Sequence, residues 1–361
     1  MNFDEIGGKQ PEAPKKAGHA ANAEREDPML KLIRRLLCVA GVLSALLPLP
    51  ASAADFTMKI GFATARDQNQ QWADWYKEAV EKGSNGRIEV KIFPASQLGP
   101  IPRQIEGVQL GTVECVLFPA DFFVGLDPRY GVFSIPSLFR DMKHASDTIA
   151  DPAINKELLD LSASKGLIGV TAFVYSAADY LGKTPIRTLA DFKGKKFRIN
   201  ATPAERERFR LLGATAVPMP LNEVVPALQR GTVDGTQSAI AVFVNFKFSD
   251  IAKVLTQTDD TMLVPVAVVS KAWLDKLPPD LRTLVVNEGR KLQDRVQKLS
   301  FDALGAMRKR WADQGGSIIR LSDAEQKQLV GMLQSVGPTV TTANPALSAY
   351  YKSVQAAAAK H

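Results

Sequence analysis

KIGFATARDQNQQWADWYKEAVEKGSNGRIEVKIF, residues 59–93, passes from a strand into a helix and back into a strand. Residues 59–63 form a short β run. Beyond them Trp72, Trp75, Tyr76, Ala79 and Val80 recur at helical spacing until Gly83 stops the helix. Ile88, Val90 and Ile92 then share one face of an alternating segment that Pro94 closes. Residues 102–110 read as a short helix with Gly111 at its capping position, and 114–118 as a third strand. Strands and helices alternating at this interval imply βαβ units in a largely parallel sheet.

A second series begins near Leu167. Thr188 and Asp191 have capping-box spacing for one helical turn ending at Gly194, and 196–199 is a strand. Residues 221–230 read as a helix stopped by Gly231, with Pro226 predicting a kink or an early restart. Residues 263–270 form a strongly apolar strand, and Pro265 places its first residues at an edge or outside the ladder. One long helix is expected over about 279–313, followed by Gly315-Gly316. Ser322 and Glu325 form a capping box for another helix, and the Ala-rich tail after Pro338 is expected to dock loosely.

The N-terminal segment is of a different kind. Lys31, Arg34 and Arg35 precede a largely apolar run, 36–47. Pro48 and Pro50 break it, and Ala51-Ser52-Ala53 offers small residues for cleavage. That order is a secretory signal, and the run is too short for a permanent membrane anchor. Met29, immediately before the basic cluster, is the expected start; residues 1–28 are otherwise a disordered leader. Leu37 before Cys38 argues against lipidation. Cleavage would leave Cys115 without a partner, so the exported protein relies on its core rather than on disulfides. A periplasmic location follows from this reading.

The chain of 361 residues carries a formal charge of +7. Removing residues 1–53 lowers the basic and acidic counts from 45 and 38 to 38 and 32. The charges are interspersed, with no basic stripe among aromatics, and nucleic acid is not an expected partner. Beyond residue 53 the histidines are His144, read as a surface residue, and His361 at the C-terminus. With Cys115 they cannot build a zinc site of usual composition, and the sequence holds neither GxGxxG nor a P-loop. The paired Asp259-Asp260 reads as a solvated turn. No cofactor, metal or enzymatic chemistry is expected.

Three stretches carry a resemblance. They are GRIEV at 86–90 leading through Phe93-Pro94 to SQLG at 96–99; LADFKGKKFR at 189–198; and GATAVPMP at 213–220 with Glu223, Ala227-Leu228-Gln229, Gly231 and Val233-Asp234-Gly235. In this order and spacing the chain resembles the DctP-type solute-binding proteins of TRAP (tripartite ATP-independent periplasmic) transporters. The resemblance implies an α/β fold of the periplasmic-binding-protein type, two hinged domains, each a mixed sheet flanked by helices, with a long C-terminal helix spanning both. On it, domain I comprises 54–175 and 264–303, domain II comprises 176–263 and 304–345, and 346–361 form a tail.

The resemblance also implies that Arg198 clamps the ligand carboxylate, a task for which a guanidinium offers two parallel donors. From the pattern alone Arg198 shares a face with Lys196, and a surface charge remains the alternative. Tyr180, Ser238, Leu221, Phe243 and Phe122 are further candidates for the site, and Asp179 or Asp67 could receive a cationic end of a zwitterion. For the aromatic candidates the core is the alternative, and for Asp179 a solvated loop position. Where sialic-acid-binding relatives place polar contacts, this chain has Ala63, Ile101, Pro119 and Ala178, the last replacing a second arginine. Ser238 replaces a common asparagine, and Leu221 a common aromatic. A small, partly apolar monocarboxylate or zwitterion is expected, delivered to TRAP permease subunits by a monomer. A binding protein of an ABC transporter or sensor system, or an exported enzyme of small carboxylates, are the alternatives.

Overall fold

The stretch 59–93 forms strand β1 (Phe56–Phe62), the helix Gln68–Gly83 and strand β2 (Ile88–Phe93), with β1 and β2 parallel. In the computed structural model, Met29, residues 54–200 and residues 202–361 are described. Apart from Met29, the secretory signal lies outside the described residues, as does Cys38.

The apolar face of Gln68–Gly83 carries Trp72 and Tyr76 inward. Each buried ring still satisfies its polar end: Trp72 Nε1 donates to Thr171 at 3.1 Å, and the Tyr76 hydroxyl to the Val285 carbonyl at 2.8 Å. The helix Ile101–Leu110 ends where Gly111 turns left-handed at φ 74, a conformation that costs a residue without Cβ nothing. Strand β3 (Cys115–Pro119) then pairs parallel to β1.

Beyond β3 the sheet ceases to be parallel. Strand β11 (Pro265–Ser270) lies antiparallel between β3 and β4 (Leu167–Ala172), giving the order β2-β1-β3-β11-β4. Every residue of β11 is buried. Its ladder starts at Pro265 in a central strand, not at an edge; the first position of a strand tolerates the missing N–H.

The second sheet comprises β5 (Ser176–Gly182), β6 (Lys196–Ile199), β7 (Thr215–Pro218), β8 (Gly235–Ala239), β9 (Val254–Gln257) and β12 (Ser317–Arg320). Their order is β12-β9-β5-β8-β6-β7, and the short β10 (Met262–Leu263) also pairs with β5. Tyr180, Phe192, Phe197 and Phe209 pack beneath it, with the Phe197 and Phe209 rings stacked 5.0 Å apart. The expected single turn after Thr188 is present with both halves of its capping box.

The chain passes between the sheets at residues 173–175, linking β4 to β5, and at Val264, linking β10 to β11. These crossings lie side by side: Tyr175 N–H donates to the Leu263 carbonyl at 2.8 Å, and Phe173 N–H to the Pro265 carbonyl at 3.3 Å. The helix Gln293–Asp313 runs past both lobes, packing on Gln68–Gly83 and on Ile240–Asn245. Its Gln297 side chain accepts from Val174 N–H at 2.8 Å and donates to the Val174 carbonyl at 3.2 Å, so one amide fixes the first crossing from both sides.

Several local expectations change. The long helix is two, Pro279–Lys291 and Gln293–Asp313, separated at Leu292. The helix Leu221–Arg230 runs unbroken through Pro226, because the carbonyl deprived of its donor belongs to exposed Asn222. Ser322 caps Asp323–Leu333, whereas Glu325 accepts from the N–H of Leu189 at 2.6 Å instead of completing a box. The tail is firmly docked: Pro345–Ala358 buries Leu347, Tyr350 and Val354, and Tyr350 meets the edge of Phe133 at 6.3 Å. His144 is buried beneath that tail. Its Nδ1 accepts from Arg140 N–H at 3.0 Å, so Nε2 donates to the Ala358 carbonyl at 2.8 Å. Asp260 is likewise buried, 3.7 Å from Arg208 and within reach of the Tyr180 hydroxyl at 3.2 Å.

Candidate ligand-binding site

Between the sheets lies a cavity with about 550 Å³ of space not filled by protein atoms, its opening to solvent included. The ends of β1, β3, β6 and β8 supply its walls, with the starts of the helices Gln68–Gly83, Ile101–Leu110 and Leu221–Arg230. Strand ends suit this purpose, because a side chain there leaves the sheet and reaches the crevice beyond it.

Arg198 is the one arginine among the lining residues. Phe197 and Ile199 face the core, and Lys196 shares the face of Arg198 but stays exposed at the start of β6. Two residues on, Arg198 is only 3% exposed. Its Nε donates to the Met219 carbonyl at 3.0 Å, which aims the guanidinium; the buried Nη2 has no hydrogen-bond partner among the described residues. Burial pushes the Arg198 pKa down to about 10, against the opposing charges of Glu205 and Asp121. A cationic donor held out of water without an acceptor is costly, and an anion in the cavity relieves that cost.

Asp121 holds the lining residue Asn200 from behind. Its Oδ2 accepts from Asn200 Nδ2 at 2.9 Å, a contact from the first lobe to the second. Burial foremost, then the charge of Glu205, push this carboxyl up to about 6, although hydrogen bonds from Asn200 and Ser134 and the charge of Arg208 pull the other way. Further bonds join the lobes, among them Arg208 Nη2 to the Ser134 carbonyl at 3.2 Å, Asn245 Nδ2 to the Ala65 carbonyl at 2.8 Å and Ser137 N–H to the Asp260 carbonyl at 2.7 Å.

Ser238, Leu221 and Phe122 line the cavity with Arg198, as do Ala63, Ile101 and Pro119. The other expected residues lie elsewhere. The Tyr180 ring is in the aromatic core of the second lobe, and Phe243 is fully buried against Phe248 and Trp311. Asp67 stands behind the wall: it caps Gln68–Gly83 and accepts from the Tyr175 hydroxyl at 2.6 Å, and it is Tyr175 that faces the cavity. Asp179 opens into a different pocket, behind the crossing strands. Ala178 is buried outside the cavity.

Sequence reasoning missed Asn69, Tyr175, Asn200 and Gln237. Asn200 had a signal, because alternation from Arg198 puts it on the same face. Asn69 had a weaker one, sitting in the first turn after the Asp67 cap. Its Nδ2 donates to Thr64 at 3.0 Å, while the buried Oδ1 has no partner among the described residues.

Residues 61–340 match the family described as DctP, bacterial extracellular solute-binding protein, family 7. The chain belongs to this family. Among relatives of the DctP-family protein, the 2,3-diketo-L-gulonate-binding periplasmic protein of Escherichia coli is 29% identical over 69% of this chain and 76% of its own. The C4-dicarboxylate-binding periplasmic protein DctP of Rhodobacter capsulatus is 30% identical over 70% of this chain and 77% of its own. A TRAP periplasmic solute-binding protein from Xanthobacter autotrophicus, solved with β-D-galacturonate, superposes with a TM-score of 0.77 at 26% identity, covering 83% of this chain and 99% of that one. The two sheets flanked by helices are thus the two-domain architecture of these binding proteins.

Proposed function

We propose that this DctP-family protein captures a small organic monocarboxylate between its lobes and hands it to the permease of a TRAP transporter. The observation that carries this reading is Arg198 in the cavity wall, its buried Nη2 without a hydrogen-bond partner among the described residues. A carboxylate supplies two acceptor oxygens in the plane a guanidinium offers. Capture stabilises the closed form by the difference in affinity between the open and closed states.

The remaining walls set the ligand's character. Ile101, Phe118, Phe122, Leu221 and Val242 favour a partly apolar body, while Asn69, Asn200 and Ser238 can meet a hydroxyl or carbonyl group. One arginine favours one carboxylate over two. A zwitterion is less well served, because Asp179 opens elsewhere and Asp67 is masked by Tyr175. The relatives named above bind a diketo sugar acid, C4-dicarboxylates and a hexuronate, and all of these present a carboxylate. In this reading the protein is a binding component without catalysis, working as a periplasmic monomer after removal of residues 1–53 as leader and signal. Domain I comprises 54–175 and 264–303, and domain II 176–263 and 304–345.

A thermal-shift screen of small monocarboxylates, dicarboxylates, sugar acids and zwitterions tests the proposal. A ligand at 100 times its dissociation constant adds about 2.7 kcal/mol to stability, a readable rise in melting temperature. A shift with a carboxylate that disappears in Arg198→Ala supports it. A folded protein unmoved by every acid refutes it.

A further inference from the structure

A second pocket, of about 630 Å³, lies behind the crossing strands, apart from the cavity that holds Arg198. Asp141, which caps the first-lobe helix Met142–Ala150, stands on one side; β5, β9, β10, β12, Asp259 and the helices Ile240–Asn245 and Gln293–Asp313 form the rest. Asp179 lines it. This residue is only 5% exposed, and its Oδ1 is buried with no hydrogen-bond partner among the described residues. A buried carboxylate oxygen without a donor is costly, as is the partnerless Nη2 in the main cavity, and it is of opposite sign.

Arg308 and Arg320 favour the Asp179 carboxylate only through space, and among the described residues none donates to its Oδ1. Arg320 Nη1 is bound to Asp259 Oδ2 at 2.8 Å, and Asp259 Oδ1 accepts from Gln257 at 3.0 Å. Arg308 reaches Gln257 at 3.5 Å. Asp141 spends Oδ1 on His144 N–H at 2.8 Å. A divalent metal is not supported, since no cluster of three or more possible ligands exists among the described residues. Ile240, Met262 and Leu304 give the pocket an apolar wall.

We infer that this pocket is a second ligand site, taking a small cation with a primary ammonium group on a short apolar stem. The ammonium donates to Asp179, and the stem covers Met262 and Leu304. Asp179 pairs in register with Ser238 across β5 and β8, and Ser238 lines the main cavity, so the two sites share one strand pair. Because the pocket has walls in both lobes, its occupant also biases their closure.

Calorimetric titration with n-butylammonium chloride tests this inference. Saturable binding at about pH 8.5 is expected, weakened at least about tenfold by Asp179→Asn, with sodium chloride at equal ionic strength giving none. The groups facing Asp179 are Asp141, Asp259, Asp260, Arg308 and Arg320. Burial, then the charge of Asp259, raise Asp179 to about 7, so binding is expected to fade when the solution is taken to about pH 5.5. Should Asp179→Asn fail to fold, Leu304→Trp, which fills the pocket, is expected to abolish binding instead. Absence of saturable binding to the wild type, or equal affinity in a folded Asp179→Asn protein, overturns the inference.

Discussion

Replacing Arg198 by methionine is expected to move two properties in opposite directions. The guanidinium sits at about 10, well below its ordinary value, mainly because burial removes it from water. At 1.36 kcal/mol per pKa unit, that depression amounts to roughly 3 kcal/mol of desolvation borne by the ligand-free protein. Methionine fills similar space without a charge, and its loss of the bond to the Met219 carbonyl costs about 1 kcal/mol. The ligand-free variant is therefore expected to unfold at the same or higher urea concentration than the wild type. Carboxylate binding is expected to fall sharply. Truncating one partner of a buried charged pair costs about 2–5 kcal/mol, which corresponds to roughly 30-fold to several thousand-fold in dissociation constant. Urea titration of the ligand-free form and calorimetry with the acid found by thermal shift give the two numbers. A variant that loses more than about 2 kcal/mol of stability while binding as before would show Arg198 to be a structural residue satisfied inside the fold.

Three further outcomes follow from features outside the guanidinium. Asp121 is raised from 3.8 to about 6, so the folded protein holds a proton that the unfolded chain has released, and its stabilising contribution is full below about pH 4 and lost as pH rises through 6. Asp121→Asn is thus expected to melt higher than the wild type at about pH 7.5 and nearly equally at about pH 4; equal gains at both would assign the titration to another group. Burial pushes the Cys115 thiol far up and keeps it from forming thiolate, so in protein lacking residues 1–53 a thiol reagent is expected to label it only after denaturant is added. Gln297→Ala removes both bonds to Val174 and is expected to cost about 1–3 kcal/mol in urea unfolding, with faster hydrogen exchange at the Val174 amide.

The parts of this architecture written locally were legible in the sequence. Helical spacing of Trp72, Tyr76 and Val80, alternation at Ile88, Val90 and Ile92, and stops at Gly111 and Gly231 each depend on a few neighbouring residues. What escaped was set by partners distant in sequence. Nothing near His144 announces that Ala358 will cover it, and nothing near Glu325 announces that the Leu189 amide needs an acceptor. The same distinction divides the candidate site. Arg198, Ser238 and Leu221 were found through motifs that mark strand and helix ends, where side chains meet the crevice. Tyr180 and Phe243 were chosen for chemical suitability, yet a large ring on a central strand or a short apolar helix is more often buried in its own lobe. Tyr175, not Tyr180, faces the cavity because it lies on the crossing segment rather than within the sheet.

The position of β11 has a consequence for biogenesis. The first sheet is made mostly by residues before 173, yet the strand between β3 and β4 is supplied by residues 265–270. Until the ribosome has extended the chain past that point, β3 and β4 have no common neighbour, and β4 has no strand to pair with beside the β2-β1-β3 ladder. If the chain is exported as proposed above, that delay keeps the segment synthesised first from completing its sheet before the rest of the chain has followed.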